Sequence, residues 1–221
     1  MARLLLIRHG QSRWNLEGRI QGQLDVPLSD LGERQAEAVA RRLRGTPLGA
    51  VYVSPLQRAR ATAQAIARPH ALPLRIVPEL TEIDHGDWQG RTVPEIAAVD
   101  HDRLAMWTRL PGRVRMPNGE RLFDVRRRSL AAVAALASRH AGETVAVVSH
   151  EVVIKVVVAE ALGLDYDHLS RLAIDNAALN IIDYTAEQPH LVTLNDTAHL
   201  AGLDSPAEVD PAARLVDEGR G

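Results

Sequence analysis

An α/β fold, with a mostly parallel central sheet sandwiched between two layers of helices, is predicted by three features of this 221-residue sequence. Five or six short apolar runs read as strands. Helical patterns with recognisable starts lie between them. The runs are continuous rather than alternating, as in strands covered on both faces.

The first strand is residues 4–7, "LLLI", ended abruptly by Arg8, His9 and Gly10. An amphipathic stretch over residues 29–44 begins at Ser29 and closes at Gly45, followed by a second strand at 50–53. Ser54-Pro55 reads as a cap residue with proline at the first helical position, predicting a helix to about Ala67. A weaker strand follows at 74–77, and Thr92 with Glu95 fits a capping box. Residues 86–119 read as an excursion that could cover a site. A long helical pattern then spans 120–139, a strand 144–148, and a helix 151–162 that stops at Gly163. Strands at 179–184 and 191–194 complete the series. With no repeats and no second core, residues 1–204 are expected to form one domain, and 205–221 an Ala/Asp/Glu-rich tail.

Composition narrows the function classes. Hydrophobic residues make up 46% and charged residues 24%, ordinary for a soluble globular protein. Aromatics are only 3%, so the core must be built from Leu, Val, Ile and Ala. A net charge of −2 argues against a nucleic-acid binder but leaves room for a local cationic pocket. The absence of cysteine excludes disulfides and thiolate chemistry. No apolar run reaches the length of a signal peptide core or a membrane span, so no membrane partner and a cytoplasmic location are expected.

Ligands of such sheets bind beyond the carboxyl ends of the strands. Three strands end there in polar residues: Arg8-His9-Gly10, Ser54-Pro55 with Arg58 one turn later, and Ser149-His150. Arginine offers a planar fork of donors for phosphate oxygens, and an unprotonated imidazole can attack phosphorus. Glycine permits close backbone approach and an unobstructed N–H. Arg58 and His150 both stand at helix starts, where anions are favoured. No HExxH or similar metal-ligand spacing is present, so neither a metal nor a cofactor is expected. Transfer from an ester also needs a proton donor for the leaving alkoxide. Glu79, Glu82, Asp84 and Asp87 in "ELTEIDHGDWQG" are all candidates on the residues alone.

Five stretches in order resemble the histidine phosphatase superfamily, which includes the cofactor-dependent phosphoglycerate mutases. They are "LLLIRHGQSRWNLEGRIQGQLDVPLSDLGERQA", "VSPLQRARATAQAI", "ELTEIDHGDWQG", "PNGERLFDV" and "VAVVSHEVVIK". The resemblance implies a phosphoglycerate mutase-like fold, with His9 as the nucleophile that becomes phosphohistidine. It implies a phosphate pocket of Arg8, Arg58 and His150, and Glu82 as proton donor. Asn15 falls where the family touches phosphate, and Gln21 and Gly22 fall on the loop lining the substrate side. Three neighbouring cations would hold His9 unprotonated and stabilise the transferring phosphoryl group. Many members carry glycine where this chain has Glu151; the resemblance implies that the backbone N–H at this position serves substrate binding, and Glu151 still offers it. The side chain of Glu151 is expected to point away from phosphate, as an acid in a first helical turn.

For the substrate, "EIDHGDWQG", "IDNAALNIIDY" and "LNDTAHL" resemble the metal-independent phosphoserine phosphatases of the superfamily. That likeness puts His85 and His199 near the non-phosphate end of a small phosphorylated metabolite. Broad-specificity and α-ribazole phosphatases are the alternatives, as is a bisphosphoglycerate-dependent mutase. Mutases typically show "ERHYG" where this chain has "EIDHG", which favours transfer to water. A non-catalytic phosphate-binding domain is disfavoured because His9, Glu82 and His150 are all intact. Some relatives dimerise, so a homodimer is an open expectation.

Overall fold

A computed structural model describes residues 1–203; the proposed boundary at Asp204 and the tail beyond it lie outside the described residues. Six strands form one sheet: β1 (Ala2–Arg8), β2 (Leu48–Val53), β3 (Leu74–Ile76), β4 (Thr144–Ser149), β5 (Leu179–Tyr184) and β6 (Pro189–Asp196). Their spatial order is β3-β2-β4-β1-β5-β6. The β1/β4, β2/β4 and β2/β3 pairs are parallel, whereas β5 and β6 join antiparallel at one side. The apolar first strand is therefore central, and its register sets Arg8 opposite Ser149.

Strand periodicity explains the layering. Leu4 and Leu6 of β1 point to one face with Tyr52, Val145 and Val147; Leu5 and Ile7 point to the other with Val51, Val53 and Val148. Both sets are buried, which is why the run shows no polar alternation. The second face is covered by α2 (Asp30–Leu43) and α3 (Gln57–Ala67), whose Val39, Leu43, Ala63 and Ile66 close the smaller core. The first face is covered by α4 (Val93–Arg109), α5 (Leu122–Arg139) and α6 (Glu151–Leu162), through Ile96, Leu122, Val133 and Val157 among others. A short helix, here α1 (Arg13–Glu17), follows the first strand.

The capping box at Thr92 and Glu95 is present, and the stretch predicted from Ser29 is helix α2, capped by the Ser29 side chain. Ser54-Pro55 is corrected. Helix α3 starts at Gln57 with Leu56 as its cap. Ser54 instead extends the β2 ladder through its N–H to Val148 O, and its hydroxyl is engaged by His150. The long helix likewise begins two residues after Glu120, whose carboxylate is bound elsewhere.

Candidate active site

Parallel pairing brings the carboxyl ends of β1, β2 and β4 to one edge of the sheet. Val53 lies opposite Val148, and Arg8 opposite Ser149, so the polar residues that follow them must meet. A cavity of about 250 Å³ opens there, lined by Arg8, His9, Arg58, Glu82, His85 and Glu151, with further walls described below.

His9 is buried and fixed from behind. Its N–H bonds Ser149 O, and its carbonyl accepts from Asn176 Nδ2 and Ala177 N–H. The ring geometry assigns the tautomer. Nδ1 lies 2.7 Å from Gly10 O, which can only accept, so Nδ1 carries the proton. Nε2 lies 3.3 Å from Arg58 Nε, which can only donate, so Nε2 is unprotonated and its lone pair accepts this bond. Burial, then the charges of Arg58 and Arg8, hold the imidazole well below its usual range. His9 is therefore neutral at physiological pH, with its nucleophilic nitrogen beside a guanidinium.

Arg58 stands in the first turn of α3 and is almost fully buried. Its Nη1 and Nη2 bond Leu24 O and Gly22 O, which ties the loop after α1 to the site. Burial lowers its pKa to about 10, so it stays charged. Arg8 Nη1 bonds Ile174 O at 2.6 Å, and Arg8 Nη2 lies 3.2 Å from Glu151 Oε2. Glu82 follows the short 3-10 turn Pro78–Leu80 and accepts from Ile83 N–H at 2.9 Å. Its second oxygen lies 3.4 Å from Val152 N–H in the first turn of α6. Burial raises its pKa, the Ile83 hydrogen bond opposes this, and the Glu151 charge adds to the rise. A carboxyl placed so can hold a proton above the ordinary carboxylate range.

Four expectations are corrected. Glu151 does not point away: it lines the cavity and pairs with Arg8 and, at 2.5 Å, with Lys155 Nζ. Burial opposes its ionisation, but Lys155 and Arg8 prevail and hold it at about 2. His150 packs against His9, with ring centroids 5.1 Å apart and Nε2 2.7 Å from Ser54 Oγ, which leaves its buried Nδ1 without a hydrogen-bond partner among the described residues. Burial and the arginines push its pKa well down, so His150 is a neutral imidazole rather than a third cation beside His9. The Gly10 N–H is not free but donates to Thr62 Oγ1, and the close approach at Gly10 is to Gly32 O of α2. His199 stays outside the wall, where Nε2 donates to Ala177 O and braces the segment behind His9.

Asn15, Gln21, Gly22 and His85 do line the cavity. Asn15 is already engaged, since its Oδ1 accepts from Ser12 in the cap of α1. Gly22 needs its glycine: φ is +52°, and a Cβ would fall 2.1 Å from Gln89 Oε1. His85 packs edge-on against Trp107, and burial pushes it to about 4, so it is a neutral hydrogen-bonding group rather than a cation. Sequence reasoning missed Lys155, Asp175 and Trp107 on the wall. The i, i+4 spacing from Glu151 to Lys155 was the available signal for the first. The "LNDTAHL" stretch acts indirectly, because Asn195 Nδ2 holds Asp175 Oδ2 at 2.9 Å. Among the described residues, no cluster of three or more His, Asp or Glu side chains is placed to hold a metal ion.

A neutral imidazole lone pair between two guanidinium groups, faced by a carboxyl with a raised pKa, defines a phosphate-handling α/β enzyme. The sequence profile of the histidine phosphatase superfamily (branch 1) matches residues 4–197, and the chain belongs to that superfamily. Phosphoserine phosphatase 1 of Hydrogenobacter thermophilus is 35% identical over 200 residues, 90% of this chain and 95% of that protein. A probable phosphoglycerate mutase GpmB of Yersinia pestis is 32% identical over 213 residues, covering 94% and 97%. The solved structure of Bacillus stearothermophilus YhfR superposes with a TM-score of 0.87 at 34% identity, covering 90% of this chain and all of that one. The chain is thus a phosphoric monoester hydrolase of the histidine phosphatase type. No helix among the described residues is long and apolar enough to cross a membrane.

Proposed function

We propose that this phosphatase hydrolyses phosphoserine through a phosphohistidine formed on His9. The observation that carries the proposal is the ring of His9, locked by Gly10 O so that the unprotonated Nε2 faces Arg58. Nε2 attacks phosphorus while the ester P–O bond breaks, and Arg8 and Arg58 neutralise the phosphoryl oxygens. The leaving alkoxide takes the proton of Glu82. The resulting imidazolium keeps its Nδ1–H on Gly10 O. A water then gives a proton to the Glu82 carboxylate and attacks phosphorus. The P–N bond breaks, which releases inorganic phosphate and restores neutral His9.

Phosphoserine as substrate is supported by the 35% identical relative of that name and by the charges beyond the phosphate end. Glu151 and Lys155 present opposite charges side by side on the wall, with neutral His85 nearby. A zwitterionic amino acid ester matches this pair: its ammonium meets Glu151, and its carboxylate meets Lys155 and His85. The mutase-named relative makes phosphate transfer between glycerate oxygens the second reading.

Phosphate release from phosphoserine, 3-phosphoglycerate and an aryl phosphate, measured in EDTA, tests both readings. The expected result is the highest kcat/KM on phosphoserine, undiminished by EDTA. Isomerisation of 3-phosphoglycerate that depends on added bisphosphoglycerate would replace the phosphatase reading with the mutase one. A homodimer and cytoplasmic residence complete the proposal, read by light scattering and cell fractionation.

A further inference from the structure

The "PNGERLFDV" stretch and the middle of α5 contribute nothing to the cavity wall, yet they hold the segment that carries Glu82. Arg128, on α5, uses all five of its guanidinium N–H groups. Nε and Nη2 grip the Glu120 carboxylate, each at 3.0 Å. Nη1 bonds Glu79 O at 2.8 Å and also Thr81 O, and Nη2 bonds Glu82 O at 3.0 Å. Glu120 completes the clamp: Oε2 accepts from Asp84 N–H at 2.9 Å, and its own N–H donates to Asp84 O at 3.0 Å. Gly119 permits this approach, since a Cβ there would lie 2.3 Å from Asp84 O. One ion pair thus fixes the backbone at residues 79, 81, 82 and 84. The Glu82 side chain is left to bind Ile83 N–H and Val152 N–H.

We propose that Arg128, with Glu120, is the positioning device for the proton-donating carboxyl: it sets where Glu82 stands and touches neither phosphate nor nucleophile. The proposal rests on the reading of Glu82 as the acid. A lysine cannot replace Arg128, because an ammonium keeps the charge but lacks the planar fork that spans three carbonyls and a carboxylate. The signature is a dependence on the leaving group. An alkyl alkoxide needs its proton in the transition state, whereas a nitrophenolate leaves without one. General acid catalysis contributes on the order of 10²–10⁴-fold, and misplacing the acid forfeits part of it.

The test compares wild type, Arg128→Lys, Glu120→Gln and Glu82→Gln on phosphoserine and on p-nitrophenyl phosphate, with urea midpoints measured alongside. Arg128→Lys is expected to lose about 10- to 100-fold in kcat/KM on phosphoserine and under about threefold in kcat/KM on the aryl ester; kcat/KM is read because it ends at phosphoenzyme formation and leaves out the later attack of water that Glu82 assists for both esters. Glu120→Gln should show the same asymmetry more weakly. The double variant should lose less than the product of the singles, because both act through one clamp. Equal losses on both esters, or none on either, overturn the proposal. Should Arg128→Lys fail to fold, Glu120→Gln decides by the same criterion. Glu82→Gln separates the two levels: if it lacks the asymmetry, the acid assignment falls and the clamp's role with it. If Glu82→Gln shows the asymmetry and the clamp variants do not, the clamp proposal alone is wrong.

Discussion

Replacing Glu151 by glutamine removes one charge from the pocket and almost no volume. The carboxylate lies 3.2 Å from Arg8 Nη2 and 2.5 Å from Lys155 Nζ, and its side chain is 31% exposed. At an effective dielectric between roughly 20 and 80, a phosphate held by the same guanidinium, about 6 Å away, is repelled by about 0.7–2.8 kcal/mol per unit charge. Removing that repulsion should tighten competitive inhibition by inorganic phosphate about 3- to 100-fold. A substrate without an ammonium, such as 3-phosphoglycerate, should gain likewise, with a lower KM. Phosphoserine should not share that gain. It receives the same relief but loses a charged hydrogen-bond partner for its ammonium, which costs about 1.5–3 kcal/mol, so the ratio of its KM to that of 3-phosphoglycerate should rise about 10- to 100-fold. Steady-state kinetics on both esters, with phosphate inhibition constants, read the split. The Glu151 charge also helps keep Glu82 protonated, so in the variant the alkaline limb of kcat should move to lower pH. Parallel changes in KM for the two esters, or an unchanged phosphate inhibition constant, would refute this reasoning.

Asp183 is held below its ordinary pKa chiefly by the hydrogen bonds from Arg3, which tie β5 to β1. A depressed carboxylate contributes stability that is present above its unfolded pKa and is lost as pH falls through the folded one. Asp183→Asn should therefore lower the urea-derived stability at neutral pH by up to about 1 kcal/mol, since Arg3 is 41% exposed. That difference should fade below about pH 4. Gly22→Ala forces a Cβ into a left-handed conformation costing about 1–2 kcal/mol, and it collides with Gln89. Because Gly22 O anchors Arg58, inhibition by phosphate should weaken several-fold. Leu6→Ala, in the fully covered middle of β1, should cost about 2–5 kcal/mol in urea unfolding and leave KM of the remaining folded enzyme unchanged.

The strand ends are legible because an apolar run that stops at Arg-His, or at Ser-His, has one consistent explanation in a sheet covered on both faces. Burial of Leu4 through Ile7 on both sides bears that out. The acid is not legible from residue types. Glu79, Glu82, Asp84 and Asp87 differ only in environment: Glu82 is buried, whereas Glu79 and Asp87 are exposed. The direction of Glu151 is hidden for a similar reason. A first-turn acid is stabilised by the helix whichever way it faces, and the ion pairs with Arg8 and Lys155 decide the matter. Ser54-Pro55 misleads because the buried Ser54 hydroxyl is shared between His150 and the Leu56 N–H, which lies one residue before the helix begins. Arg128 leaves no local trace at all, since its carbonyl partners lie 46 to 49 residues earlier in the chain.

The central claim is that phosphate passes through a covalent bond to His9 Nε2. Rapid quenching during turnover of ³²P-labelled phosphoserine tests it most directly. The account predicts a protein-bound label that is acid-labile and alkali-stable, maps to the peptide containing His9, and disappears along with turnover in His9→Ala. Turnover by the wild type with no label on the protein, or a label and turnover that survive His9→Ala, would contradict it.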